Sequence, residues 1–107
     1  MADKSFKLMN RVNAAATAMK KRLDVTAVYL FGSQVRKTND RWSDIDIGVF
    51  LTGFDTASLS KRIRAIVEVQ RELGDDLEFH FFDASNPANQ ESVSFAAEVI
   101  KTGVKVA

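Results

Sequence analysis

The sequence has no cysteine, which excludes disulfides and thiolate metal sites. That absence fits a cytosolic compartment. It also lacks an excess of one charge. Fifteen basic side chains face 14 acidic ones, for a formal net charge of +1. A dedicated nucleic-acid or membrane surface would show as a bias, and none is visible. No apolar run approaches membrane-spanning length, and MADKSFKLMNRV lacks the apolar core of a signal peptide. Internal repeats, low-complexity tracts and obvious linkers are missing too. These absences lead us to expect a soluble, cytoplasmic protein with no membrane partner. The 107 residues match one compact domain, expected over 1–107. Hydrophobic residues make up 46% of them, enough for a core at this length.

What is present alternates between helical and strand periodicity. Leu8, Val12, Ala15, Ala16, Met19 and Leu23 recur at helical spacing, which predicts a helix over roughly 4–23. Lys20, Lys21 and Arg22 stand in its last turn, where cations favour the negative end of the helix dipole. VTAVYLF is β-branched and aromatic and predicts a strand. Gly32 ends it, and Ser33 caps a short helix to about Lys37. KTNDRW is a loop, and DIDIGVFL is the second strand. A helix over about 56–73 follows, capped by Asp55 and stopped by Gly74. Its expected inner stripe is Leu59, Ile63, Ile66, Val67 and Leu73. LEFHFFD is the third strand. Asn86 caps a last helix to about Thr102, with Pro87 at its first position. Gly103 ends that helix, and VKVA offers a short edge strand. This order predicts an α/β (α+β) fold, a small mixed sheet covered by helices in two or three layers.

Two carboxylates interrupt the second strand. Asp44 and Asp46 are two apart, so they share a face, while Ile45, Ile47 and Val49 take the other. Neighbouring like charges need a proton, a cation or open solvent. A solvated strand end would meet that need alone. A divalent cation with oxygen preference would also meet it, and magnesium is usually held by one or two carboxylates plus substrate phosphates. The turn ahead supplies a phosphate partner. Gly32 lets backbone approach a ligand, and Ser33 opens a helix whose free N–H groups favour an anion.

Gly32-Ser33, ten intervening residues and Asp44-Ile45-Asp46, within YLFGSQVR and WSDIDIGVFL, resemble the signature of the minimal nucleotidyltransferases. These belong to the polymerase-beta-like superfamily. The resemblance spans nearly the whole chain. It implies a mixed sheet with both aspartates on its second strand and a third carboxylate on a later one. Glu78, second in LEFHFFD, fits that position; Asp76 is the runner-up, before the strand, and Asp83 ends it. Two departures stand out: the family more often has aspartate at the Glu78 position and glycine at the Lys37 position.

The resemblance implies transfer of a nucleoside monophosphate, AMP from ATP, to an acceptor hydroxyl with Mg2+. Gly32, Ser33 and Arg36 would bind the phosphates. Asp44, Asp46 and Glu78 would hold metal, with Glu78 as base or second-metal ligand. Minimal members resemble antitoxins that adenylylate a tyrosine of a helical HEPN-type ribonuclease, so such a partner is expected. The alternative is a binding module that keeps the fold and neutralises its partner by covering it. Homo- or hetero-oligomerisation stays open, as does the nucleotide. Three other features carry two readings each: His80, on the Glu78 face, as a satisfied histidine or an aid to proton transfer, Trp42 as packing at the sheet edge or a stacking or partner contact, and Lys61, Arg62 and Arg64 as a solvated basic face or a partner surface, the structural reading being preferred for His80 and the basic residues.

Overall fold

The computed structural model describes residues 3–31, 45–52, 59–84 and 93–107. Along these run helix α1 (Asp3–Arg22), strands β1 (Val25–Phe31) and β2 (Ile45–Leu51), helix α2 (Leu59–Leu73), strand β3 (Leu77–Asp83), helix α3 (Val93–Thr102) and strand β4 (Val104–Lys105). The expected short helix after Ser33, the Asp55 cap, the Asn86–Pro87 helix start and Trp42 all lie outside the described residues. Among the described residues, no helix is long and apolar enough to cross a membrane.

The four strands form one mixed sheet in the order β3-β2-β1-β4. β1 is antiparallel to β2 and to β4, and β2 is parallel to β3. The parallel pair needs a crossover, and α2 lies in that connection. Alternation assigns the two faces. Val28, Leu30, Ile45, Ile47, Val49, Leu51, Leu77 and Phe79 form one buried cluster with Val12, Ala15, Ala16, Met19 and Leu23 of α1 and its extension, and with Ala65 and Val69 of α2. Phe31, Phe50 and Phe82 form a second cluster with Val99 of α3. The sheet is therefore the middle of three layers, with α1 and α2 on one face and α3 on the other.

A bulge adjusts β1 at its start. Its register on β2 shifts between Val25 and Ala27, so Val25 packs with the α1/α2 cluster although Ala27 packs with the α3 cluster. The expected α1 stripe is buried from Val12 through Leu23, with Leu8 half-buried.

The inner stripe of α2 differs from expectation. Leu59, Ile63 and Val67 are 64%, 49% and 45% exposed, while Ala65 and Val69 are buried and Ile66 and Leu73 pack partly against the core. The helix carries apolar residues on two sides: Leu59, Ile63 and Val67 face outward, and Ala65, Ile66, Val69 and Leu73 face the core. Small residues on both helices favour a close crossing, and Ala65 joins Ala15, Ala16 and Ala18 in the buried cluster.

Gly74 stops α2 as expected, with φ of +128°, a conformation L side chains rarely adopt. Its N–H donates to the Gln70 carbonyl at 2.8 Å. A methyl group there would also meet the Arg11 guanidinium, packed against the turn.

Candidate active site

Three polar residues of the sheet, Asp46, Glu78 and His80, gather at one end of the α3 face. β1 and β2 run antiparallel with Phe31 opposite Asp46, and β2 and β3 run parallel with Asp46 opposite Glu78 and Gly48 opposite His80. Strand alternation sends Asp46, Glu78 and His80 to the same side. Pairing across the sheet then does what sequence spacing cannot: it sets carboxylates 32 positions apart side by side (78 − 46).

His80 completes the cluster. Its Nε2 lies 3.2 Å from Asp46 Oδ1 and 3.1 Å from Glu78 Oε1. One ligating atom from each of the three residues falls within 4.8 Å of the others. Asp46 and His80 are about one quarter exposed and Glu78 is half exposed, so the cluster is seated on the sheet yet open to solvent. Phe31 packs edge-on against the imidazole, with ring centroids 5.2 Å apart. Beyond it, Phe50 stacks on Phe82 at 4.9 Å and meets Tyr29 edge-on at 5.6 Å. These rings and Val99 cover the rest of the face, so the polar end stands on an apolar floor.

Gly48 lets this floor close up. A Cβ there would lie 3.2 Å from Val99 Cγ1, 3.4 Å from Phe82 and 3.5 Å from Phe31. Glycine thus brings α3 and the rings in tightly just below the cluster.

The competing carboxylates are placed elsewhere. Asp76 lies in the turn before β3, as expected there, and Arg11 of α1 engages it at 2.6 and 3.1 Å. The same guanidinium donates to the Leu73 carbonyl at 2.8 Å. Hydrogen bonding to Arg11 holds the Asp76 carboxyl below its ordinary range. Asp76 therefore ties α1 to the α2–β3 turn. Asp83, at the end of β3, alternates with Glu78 and His80 onto the opposite face. Gly32, Ser33, Arg36 and Asp44 lie outside the described residues. The described chain leaves β1 at Phe31 and re-enters at Ile45, on either side of the Phe31–Asp46 pair.

His80, for which a role at the carboxylate is the lesser of the two sequence readings, touches both Asp46 and Glu78. The signal was present in the i, i+2 spacing from Glu78, but the contact with Asp46 needed the β2–β3 register. The basic residues of α2 belong to the other face. Lys61 and Arg64 line a groove with Arg22, Ala65 and Glu68, and Arg22 donates to Glu68 at 2.9 Å.

The donor set fits a divalent cation. Two carboxylates supply hard oxygens and the imidazole a nitrogen, all on a rigid sheet with one side open. Such a site can fix a cation beside a phosphate-bearing ligand, and a carboxylate there can accept a proton.

The architecture has a solved counterpart. The chain superposes on the crystal structure of a protein from Sulfolobus solfataricus provisionally designated a nucleotidyltransferase, with a TM-score of 0.64 and 18% identity, covering 96% of this chain and 82% of that one. The architecture is thus shared with a solved structure despite low identity. The family follows from the sequence: the nucleotidyltransferase domain matches residues 12–100, and the chain belongs to that family. It is a minimal nucleotidyltransferase core of the polymerase-beta-like type, as the Gly-Ser and Asp-Ile-Asp motifs implied. No curated protein matches it.

Proposed function

We propose that this chain transfers a nucleoside monophosphate, AMP from ATP, to an acceptor hydroxyl, and that the acceptor lies on a HEPN-type toxin partner. The observation that carries the transfer chemistry is the Asp46–Glu78 pair. It stands side by side at the open end of the sheet in a chain of nucleotidyltransferase family. The partner assignment rests on the resemblance to minimal antitoxins. A cytoplasmic setting and a single domain over 1–107 belong to the same reading.

Asp44, Asp46 and Glu78 would hold a divalent cation, with Mg2+ sufficient for the chemistry. When bound, that cation neutralises triphosphate charge and stabilises the charge developing on phosphorus. Gly32 and Ser33 bind the phosphates through backbone N–H groups and the hydroxyl, and Arg36 adds a cationic contact. The acceptor oxygen forms a bond to the α-phosphorus while the bond from that phosphorus to the bridging oxygen breaks. Pyrophosphate leaves. Glu78 takes the acceptor's proton on its carboxylate. Phe31, packed edge-on against the imidazole, helps hold His80 beside the two carboxylates.

The test is incubation of the full chain with α-phosphate-labelled ATP, Mg2+ and the co-encoded partner. Label should move to the partner, and Asp44→Asn with Asp46→Asn should abolish the transfer. Label transfer that survives this double substitution would refute the site. Full neutralisation of the partner by the double variant would instead identify a binding module of the same fold.

A further inference from the structure

The single histidine of the chain stands inside the carboxylate pair. A ring N–H aligns well with one acceptor at a time. Yet His80 Nε2 is nearly equidistant from two carboxylate oxygens, at 3.1 and 3.2 Å, on residues of different strands. Two ligands bound at right angles to one octahedral cation at about 2.1 Å would lie about 3.0 Å apart. Both His80 separations approach that edge. The imidazole is also held in place: Phe31 packs against it edge-on, and the strand backbone fixes its base between Phe79 and Phe81.

We propose that His80 is an inner ligand, with Asp46 and Glu78, of the cation at this end of the sheet, and that it makes the site select first-row transition-metal dications over Mg2+. The proposal rests on the reading that these carboxylates hold a divalent cation. Mg2+ prefers an all-oxygen shell and keeps much of its water. Imidazole nitrogen suits the transition metals, while carboxylate and phosphate oxygens suit Mn2+ as well as Mg2+. A mixed nitrogen–oxygen set therefore gains affinity for Mn2+ that it does not gain for Mg2+. Mn2+ stands lowest in the transition series, so it is the most demanding probe of that preference.

The experiment titrates the full chain with Mn2+, following loss of the free-ion EPR signal, and repeats the titration with Mg2+ as competitor. Mn2+ should bind about 10-fold or more tightly than Mg2+, and His80→Ala should cost Mn2+ about 10-fold or more while leaving Mg2+ nearly unchanged. Pulsed EPR of the Mn2+-loaded native chain should show coupling to an imidazole nitrogen. That measurement needs no variant, so it decides the matter even if His80→Ala fails to fold. Equal affinities for the two ions, equal losses on substitution, or no nitrogen coupling would each overturn the proposal. A chain that binds Mn2+ through nitrogen but transfers no nucleotide would uphold this site and sink the transferase reading. Transfer with cation binding indifferent to His80 would do the reverse.

Discussion

Asp46 and Ile47 are adjacent in β2 and belong to different environments. Ile47 is fully buried between the sheet and the α1/α2 layer, among mostly aliphatic side chains with Phe79 beside it on β3. Asp46 looks the other way, beside Glu78 and His80, at the end of a face otherwise covered by aromatic rings and α3. The first face is closed and largely aliphatic. The second is apolar over part of its area and polar where it opens. The contrast teaches that one strand can serve stability on one side and chemistry on the other, because alternation separates the two at every step.

The sharpest way to break the comparison is to exchange the effects of these two neighbours. Ile47→Ala should destabilise the fold by about 2–5 kcal/mol, read from the denaturant midpoint, because it empties packed volume. A loss well below that range would show that the closed face is not the core. Asp46→Asn should do the opposite. Transfer should fall by about 10²- to 10³-fold, while the midpoint moves little, since Asp46 lies at the solvent-open end of the sheet and outside both apolar clusters. A large loss of stability without loss of transfer would merge the two faces into one role.

Glu78→Gln tests the same face more finely. It should slow transfer by about 10²-fold with nucleotide binding retained, if this carboxylate takes the acceptor's proton. An unchanged rate would remove Glu78 from that role. On the opposite side, Gly74→Ala should cost about 1 kcal/mol or more, because its positive φ and the neighbouring Arg11 both resist a side chain. Wild-type stability in this variant would mean that the turn relaxes freely.

The smallest effect concerns the Arg11–Asp76 pair. Both side chains are more than one third exposed, so Arg11→Ala should cost at most about 1 kcal/mol near neutral pH. Its sign with pH follows from the lowered Asp76 pKa. A depressed folded value contributes stability that is fully present above the unfolded value, near 3.8, and is lost as pH falls through the folded value. The difference between native chain and variant should therefore shrink on acidification. A gap that persists at low pH would assign Arg11 a packing role, through its contacts with Leu73 and Gly74, in place of an electrostatic one.

Much of this was legible beforehand where local periodicity and burial agree. The α1 stripe, the three long strands and the stops at Gly74 and Gly103 all follow from spacing and turn chemistry. The phase of α2 did not. Leu59, Ile63 and Val67 outrank Ala65 in hydrophobicity, but helix contact rewards small size as well as apolarity. Within the site, alternation put Glu78 and His80 on one face, and position favoured Glu78 over Asp76. The partner that occupies Asp76 was not legible, because Arg11 is 65 residues away.

Element types, the family, and which residues of each strand share a face can be read from residue order alone. These depend on side-chain period and on motifs a few residues long. Which strands are neighbours, and in what register, emerges when the sheet assembles. That choice joins Asp46 to Glu78, brings His80 between them, and draws Asp76 away to α1. Its reason is that pairing and helix packing couple distant positions through contacts that no local pattern records.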